Sequence, residues 1–347
     1  MALENPALSS IMDHWGLHCR NWKKVKDVYK IQTESGCKNL KVSPHAPERL
    51  AFVHQAVTHL NLNGFKRLNP IIPTLDGRTY VTDGTVAYTL FDWVEGGQCD
   101  FRNLSVLAEA TKVLAEFHQK SRGFTPPDHS NMRNRLGRCL NHFEEYYQNL
   151  IDFTEQAREM PRDPFARVYL KNVDSFLPLA ARATELLRQS PYQELTRAAQ
   201  ESMVFCHGDP AARNFILTPG QGIFMIDFDS CRLDLPLMDL IKFSRRVLKK
   251  YHWDFRIARI IIEAYHEVSP LTSAELEVMR AVFYFPQKFW RISIRYFHDH
   301  RHHTPEREFR KFQKYLSNKT AIYRFHKDFD AYFSDSVRDG TADVLKR

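Results

Sequence analysis

The residues best placed to do chemistry fall in one short block of this 347-residue chain, HGDPAARN at residues 207–214 followed by GIFMIDFD at residues 222–229. Transfer of a phosphoryl group from a magnesium-bound nucleotide needs a carboxylate to orient or deprotonate the acceptor hydroxyl. It also needs oxygen ligands to hold the cation against the phosphates. Asp209 supplies the first. Asn214, five residues on, offers an amide oxygen, and Asp227 ends the second apolar run. A hairpin of residues 214–218 and 222–226, turned at Pro219-Gly220, would return Asp227 to the side of Asn214. One metal site would then arise from residues distant in sequence, preceded by the apolar strand MVFC. The acids could instead only cap turns and bind backbone amides.

The elements that must position this block read in two styles. Residues 25–42 (VKDVYKIQTESGCKNLKV) form two β-branched and aromatic runs joined by Thr-Glu-Ser-Gly, a hairpin signal. Helical spacing follows in ERLAFVHQAVTHLNLNGF and stops at Gly64. Short strands are expected at residues 71–72, 79–82 and 86–94. Beyond Glu95-Gly96-Gly97 the pattern turns helical, at residues 104–118, through 134–200 and again from 235 to about 332. A β-rich part at residues 1–95 and an α-rich part at 96–347 are the expected domains, an α+β chain.

Composition bounds the alternatives. A content of 43% hydrophobic and 13% aromatic residues specifies a folded chain rather than a disordered one. The first twenty residues carry Glu4, Asp13, His14 and His18, unlike a secretory signal, and no apolar run is long enough to insert in a membrane. Six cysteines lie scattered without a CxxC pair, which reads as reduced, packed thiols; Cys206, beside His207, sits in the apolar strand rather than at a nucleophile's site. The formal charge of +8 favours anionic partners. The densest basic stretch, RHHTPEREFRKFQK at residues 301–314, is broken by Glu306 and Glu308 and reads as a solvated helical face, not a nucleic-acid arm.

The run VFCHGDPAARNFIL…GIFMIDFD resembles the catalytic and metal loops of the aminoglycoside phosphotransferase and choline kinase superfamily, distant relatives of protein kinases. GCKNLKV, PERL, YTLFDWVEGGQCDF, ATELLRQSPYQEL and FYFPQKFWRI extend the resemblance to its bacterial spore-coat (CotS-type) branch. The resemblance implies a protein-kinase-like two-lobed fold, with a small antiparallel-sheet N-lobe that binds nucleotide and a large, mainly helical C-lobe. It implies ATP or another nucleoside triphosphate with Mg2+, catalytic loop 207–214 and metal loop 226–229. It implies Asp209 as base, Asn214 and Asp227 as metal ligands, and Lys41 on the phosphates with Glu48 as the nearest helix partner. Asp92, Trp93 and Val94 would form the adenine hinge, His207 would hold the catalytic loop, and Asp229 would be a turn acid or second ligand. Arg213 would neutralise the transferred phosphate or pair with an acid.

By the same resemblance the protein would act in the mother-cell cytoplasm of a sporulating bacterium, or be deposited in the spore coat beside other coat proteins. Its acceptor would be a hydroxyl of a small molecule or coat component. One departure stands out: NWKKVKDV, where the family places a small flexible phosphate loop, lacks glycine, so backbone amides approach phosphates less freely. Lys23, Lys24 and Lys26 could substitute charge. A structural coat protein that keeps the fold with little turnover is therefore the alternative expectation.

Overall fold

The computed structural model describes residues 5–298 and 304–338. In chain order its elements are α1 (Asn5–Asp13), β1 (Asn21–Val25), β2 (Val28–Thr33), β3 (Gly36–Ser43), α2 (Pro47–Leu62), β4 (Ile71–Ile72), β5 (Val81–Thr82), β6 (Ala87–Asp92), β7 (Gly97–Gln98) and α3 (Leu104–Lys120). Then come α4 (Cys139–Arg158), α5 (Pro164–Gln189), α6 (Tyr192–Glu201), β8 (Phe205–Cys206), β9 (Phe215–Thr218), β10 (Gly222–Met225) and β11 (Arg232–Leu233). The chain continues with α7 (Pro236–Leu248), α8 (Phe255–Val268), α9 (Ser273–Tyr284), α10 (Gln287–Phe297), α11 (Pro305–Leu316) and α12 (Lys319–Arg338).

Two compact units result, Met1–Asn134 with Ser202–Pro236 and Arg135–Glu201 with Leu237–Arg347. This partition differs from a cut at residue 95, because α3 and the whole 207–229 block share a unit with the sheet.

In the first unit the main sheet is antiparallel, ordered β1-β2-β3-β6-β4, with β5 also on β6. Strand alternation explains its core. Tyr29 and Ile31 of β2, Leu40 of β3 and Leu90 of β6 are buried with Leu8 and Met12 of α1, whereas Lys41, next to Leu40, points to the other face. Burying each such aliphatic side chain contributes about 1.5–3 kcal/mol, which fixes the register that places Lys41 opposite Val28 and Thr89. The β1–β2 connection is only Lys26-Asp27, with Lys26 at φ 55.

The second unit is helical. Helices α4 and α5 pack together, and Phe165, Tyr169 and Phe176 of α5 meet Phe289, Phe297 and Phe312 in a ring-on-ring core. Thr272 and Glu275 form a reciprocal capping box that starts α9. Within the basic stretch, α11 buries Glu308, Phe312 and Tyr315 on one face, so it is not solvated all round; Arg301, His302 and His303 lie outside the described residues. Among the described residues, no helix is long and apolar enough to cross a membrane.

Candidate active site

Local pairing builds the site. Strand β8 pairs with β11 through Cys206 and Arg232, which pins both ends of the loop that carries Asp209. The β9–β10 hairpin pairs Phe215 with Met225, and one step beyond, the Ile226 N–H donates to the Asn214 carbonyl at 3.0 Å. Asn214 and Asp227 thereby sit at the open end of one hairpin. Asp227 occupies the left-handed region at φ 67, ψ 68, a conformation that costs an aspartate about 1 kcal/mol and re-aims its carboxylate.

Two glycines are obligatory here. A Cβ on Gly208, at φ +79, would lie 2.1 Å from the Ser230 carbonyl oxygen, and one on Gly96, at φ +138, 2.3 Å from that of Leu217.

His207 is fully buried and locks the loop. Its Nδ1 accepts the Asp209 N–H at 3.2 Å, which leaves Nε2 to donate to the Ile226 carbonyl at 3.0 Å, the tautomer that serves both partners. The Asn214 amide is oriented by the same logic. Its Nδ2 donates to the Asp209 carbonyl at 2.9 Å, so Oδ1 points away from that oxygen and remains the side chain's acceptor. Arg213 is ion-paired to Asp209 with its guanidinium half-exposed.

A lysine stands among carboxylates. The Lys41 ammonium lies 2.7 Å from Asp227 and 2.8 Å from Asp229, and His45 Nε2 is 3.7 Å from Asp229. Burial pulls the Lys41 ammonium down, but Asp229 and then Asp227 overcome it, so it stays protonated above the usual lysine range. Burial likewise pushes Asp227 up, and Lys41 outweighs that, holding the carboxyl below the usual range although Asp209 is near enough to press it upward.

The remaining sequence candidates are dispersed. Glu48 is exposed in the first turn of α2; Lys41 pairs with Asp227 and Asp229 instead. The next residue, Arg49, 2% exposed, turns inward, and its guanidinium donates to the Asp229 carbonyl at 2.6 Å and the Cys231 carbonyl at 2.5 Å. Sequence reasoning sought an acid and missed this cation; the signal lay in PERL, where residues 48 and 49 stand about 100° apart on a helix. At residues 92–94, Asp92 pairs with Lys38 at 2.6 Å, and the Trp93 N–H donates to the Cys37 carbonyl at 3.0 Å beneath Lys30. Asn69 holds the Asp92 carbonyl, so of residues 92–94 Val94 is the one whose backbone is not drawn into these bonds. Cys206 is buried, with Sγ 3.4 Å from the Asp234 carbonyl, and none of the six cysteines is in a disulfide.

Comparison with known proteins bears on this geometry. The family model "Phosphotransferase enzyme family" matches residues 25–271. The chain is 28% identical over 300 residues to spore coat protein S of Bacillus subtilis (strain 168), with 85% of each chain covered. Its fold is similar to an aminoglycoside phosphotransferase from Alicyclobacillus acidocaldarius at TM-score 0.83 and 20% identity, over 96% of this chain and 98% of that one. It is also similar to a spectinomycin phosphotransferase solved with ADP and spectinomycin, at TM-score 0.60 and 14% identity over 95% and 99%.

Proposed function

Because the chain belongs to the phosphotransferase enzyme family, we propose that it transfers the terminal phosphoryl group of a magnesium-bound nucleoside triphosphate, ATP foremost, to an acceptor hydroxyl. The carrying observation is the convergence of Asn214, Asp227 and Lys41, 186 residues from Asp227, at one end of the β9–β10 hairpin. The oriented Asn214 Oδ1 and an Asp227 carboxylate already facing a cation fit Mg2+, which when bound would neutralise phosphate charge. Asp209 would take the hydroxyl proton as the acceptor oxygen bonds to phosphorus and the bond to the nucleotide's bridging oxygen breaks. Lys41 would hold the phosphates, and Arg213, half-exposed beside Asp209, would meet the transferred group. His207 keeps the loop from turning, and Val94 would offer its backbone to adenine.

The likeness to spore coat protein S supports deposition in a spore coat, with a coat component or a small molecule made there as acceptor. A second reading rests on the glycine-free two-residue turn Lys26-Asp27, which offers few amides to phosphates: a coat protein that keeps the fold with little turnover. Incubation with γ-labelled ATP and magnesium separates the two. Phosphate release that falls at least a hundredfold in Asp209→Ala, with unchanged thermal unfolding, supports the enzyme; equal rates in both proteins support the scaffold.

A further inference from the structure

Arg49 is a costly residue for its place. Pro47 opens α2, so residue 49 lies in the first turn, where the helix dipole disfavours a positive charge. The side chain is nevertheless 2% exposed. Burial draws its pKa below the ordinary arginine value, and Arg133 lies near enough to press it further. Nη2 donates to the carbonyls of Asp229 (2.6 Å) and Cys231 (2.5 Å), whereas among the described residues Nε and Nη1 have no hydrogen-bond partner. The Phe52 ring, its centroid 5.0 Å from the guanidinium carbon, and the charge of Asp229 offset only part of this.

A fold selected for stability alone would place an apolar side chain here, because a buried cation without a carboxylate bonded to it is commonly replaced by good packing at no loss. What the cation gains is a hold on the loop that carries the metal-site acids. Asp227 sits between two anchors. Upstream, the Ile226 N–H donates to the Asn214 carbonyl and the Ile226 carbonyl accepts from His207, each at 3.0 Å. Downstream, Arg49 gathers the Asp229 and Cys231 carbonyls onto one nitrogen, and Phe228, between the two aspartates, packs on His207 with ring centroids 5.1 Å apart. An aspartate in the left-handed region at φ 67 persists only where its surroundings hold both flanks.

We propose that Arg49 is a positioning residue of phosphoryl transfer: by clamping the carbonyls of residues 229 and 231 to α2, it keeps the Asp227 carboxylate where magnesium would be bound. The role rests on the phosphotransferase reading. It makes the site depend on α2 through the backbone of the metal loop, rather than through an acid of that helix on Lys41. A guanidinium suits the task, because one terminal nitrogen carries two diverging N–H donors and the group stays charged at any working pH.

The test compares wild type with Arg49→Met, which keeps a long apolar stem beside Phe52 and removes the donors, and with Arg49→Lys, which keeps the charge. Calorimetric titration with ATP at graded magnesium gives the magnesium concentration that half-saturates binding. The clamp predicts that this concentration rises about tenfold or more in Arg49→Met and less in Arg49→Lys. Amide exchange at residues 226–231 should quicken about tenfold in Arg49→Met with β2 and β3 unchanged, which separates loss of position from loss of fold. If Arg49→Met does not fold, the same two readouts on Arg49→Lys decide. Magnesium dependence and loop exchange equal to wild type in a folded variant overturn the clamp alone, and exchange quickened evenly over the first unit reduces Arg49 to a structural cation. A wild type that binds no ATP in magnesium contradicts the phosphotransferase reading and removes this role with it.

Discussion

Lys41 and Lys288 are the same side chain in opposite surroundings. Lys41 is partly buried on a strand of the first unit, yet two carboxylates within 2.8 Å keep it protonated beyond the ordinary range. Lys288 is half-buried on a helix of the second unit, and its charged neighbours are cations, so it loses its proton early, at about 8. Burial alone has one sign for both; the partner decides the outcome. The first arrangement is a closed charge account that needs a specific cation or phosphate to reopen it. In the second, burial and the neighbouring cations act in the same direction.

The largest effect that would break this contrast is at Asp209. Its replacement by alanine should lower phosphoryl transfer about a thousandfold while leaving unfolding within a few degrees of wild type, read by label transfer and calorimetry. Next is geometry: Gly208→Ala forces a Cβ against the Ser230 carbonyl at a positive φ and should cost about 3 kcal/mol, measured by denaturant unfolding.

A smaller effect concerns proton affinity in the first unit. Lys41→Met removes the main influence that holds Asp227 down against burial, so the Asp227 midpoint should rise, followed by carboxyl NMR across pH. In wild type the same pairing adds stability that is present above the unfolded carboxylate value of 3.8 and fades as pH falls through the lower folded value. Its lysine side fades as pH rises past 10.5 toward the higher folded value.

The smallest effect has the opposite sign. Lys288 binds its proton more weakly folded than unfolded, so stability should rise with pH between about 8 and 10.5. Lys288→Met should stabilise by about 1 kcal/mol near pH 7, after allowance for solvent screening, and the gain should vanish above pH 10.5. Chemical denaturation at pH 7 and 11 checks both.

What the sequence revealed was what local pattern controls. The hairpin of β2 and β3, helix α2 and the β9–β10 turn followed from alternation, spacing and Pro-Gly punctuation, and the Asp209, Asn214 and Asp227 constellation followed from that hairpin. Long-range choices were hidden. Nothing in residues 25–49 says that Lys41 takes Asp227 and Asp229 rather than Glu48, because the choice depends on chain 186 residues away. Arg49 was not singled out, since only the tertiary position of residues 229–231 gives its guanidinium two carbonyls. The first unit is discontinuous, closed by residues 202–236, which a scan for composition shifts along the chain passes over.

Titration calorimetry with ATP, in magnesium and in EDTA, on wild type and Asp227→Ala tests the phosphotransferase reading most directly. The account predicts micromolar binding that needs magnesium and is abolished by the substitution. No binding at millimolar ATP, or binding indifferent to both magnesium and Asp227, would contradict it.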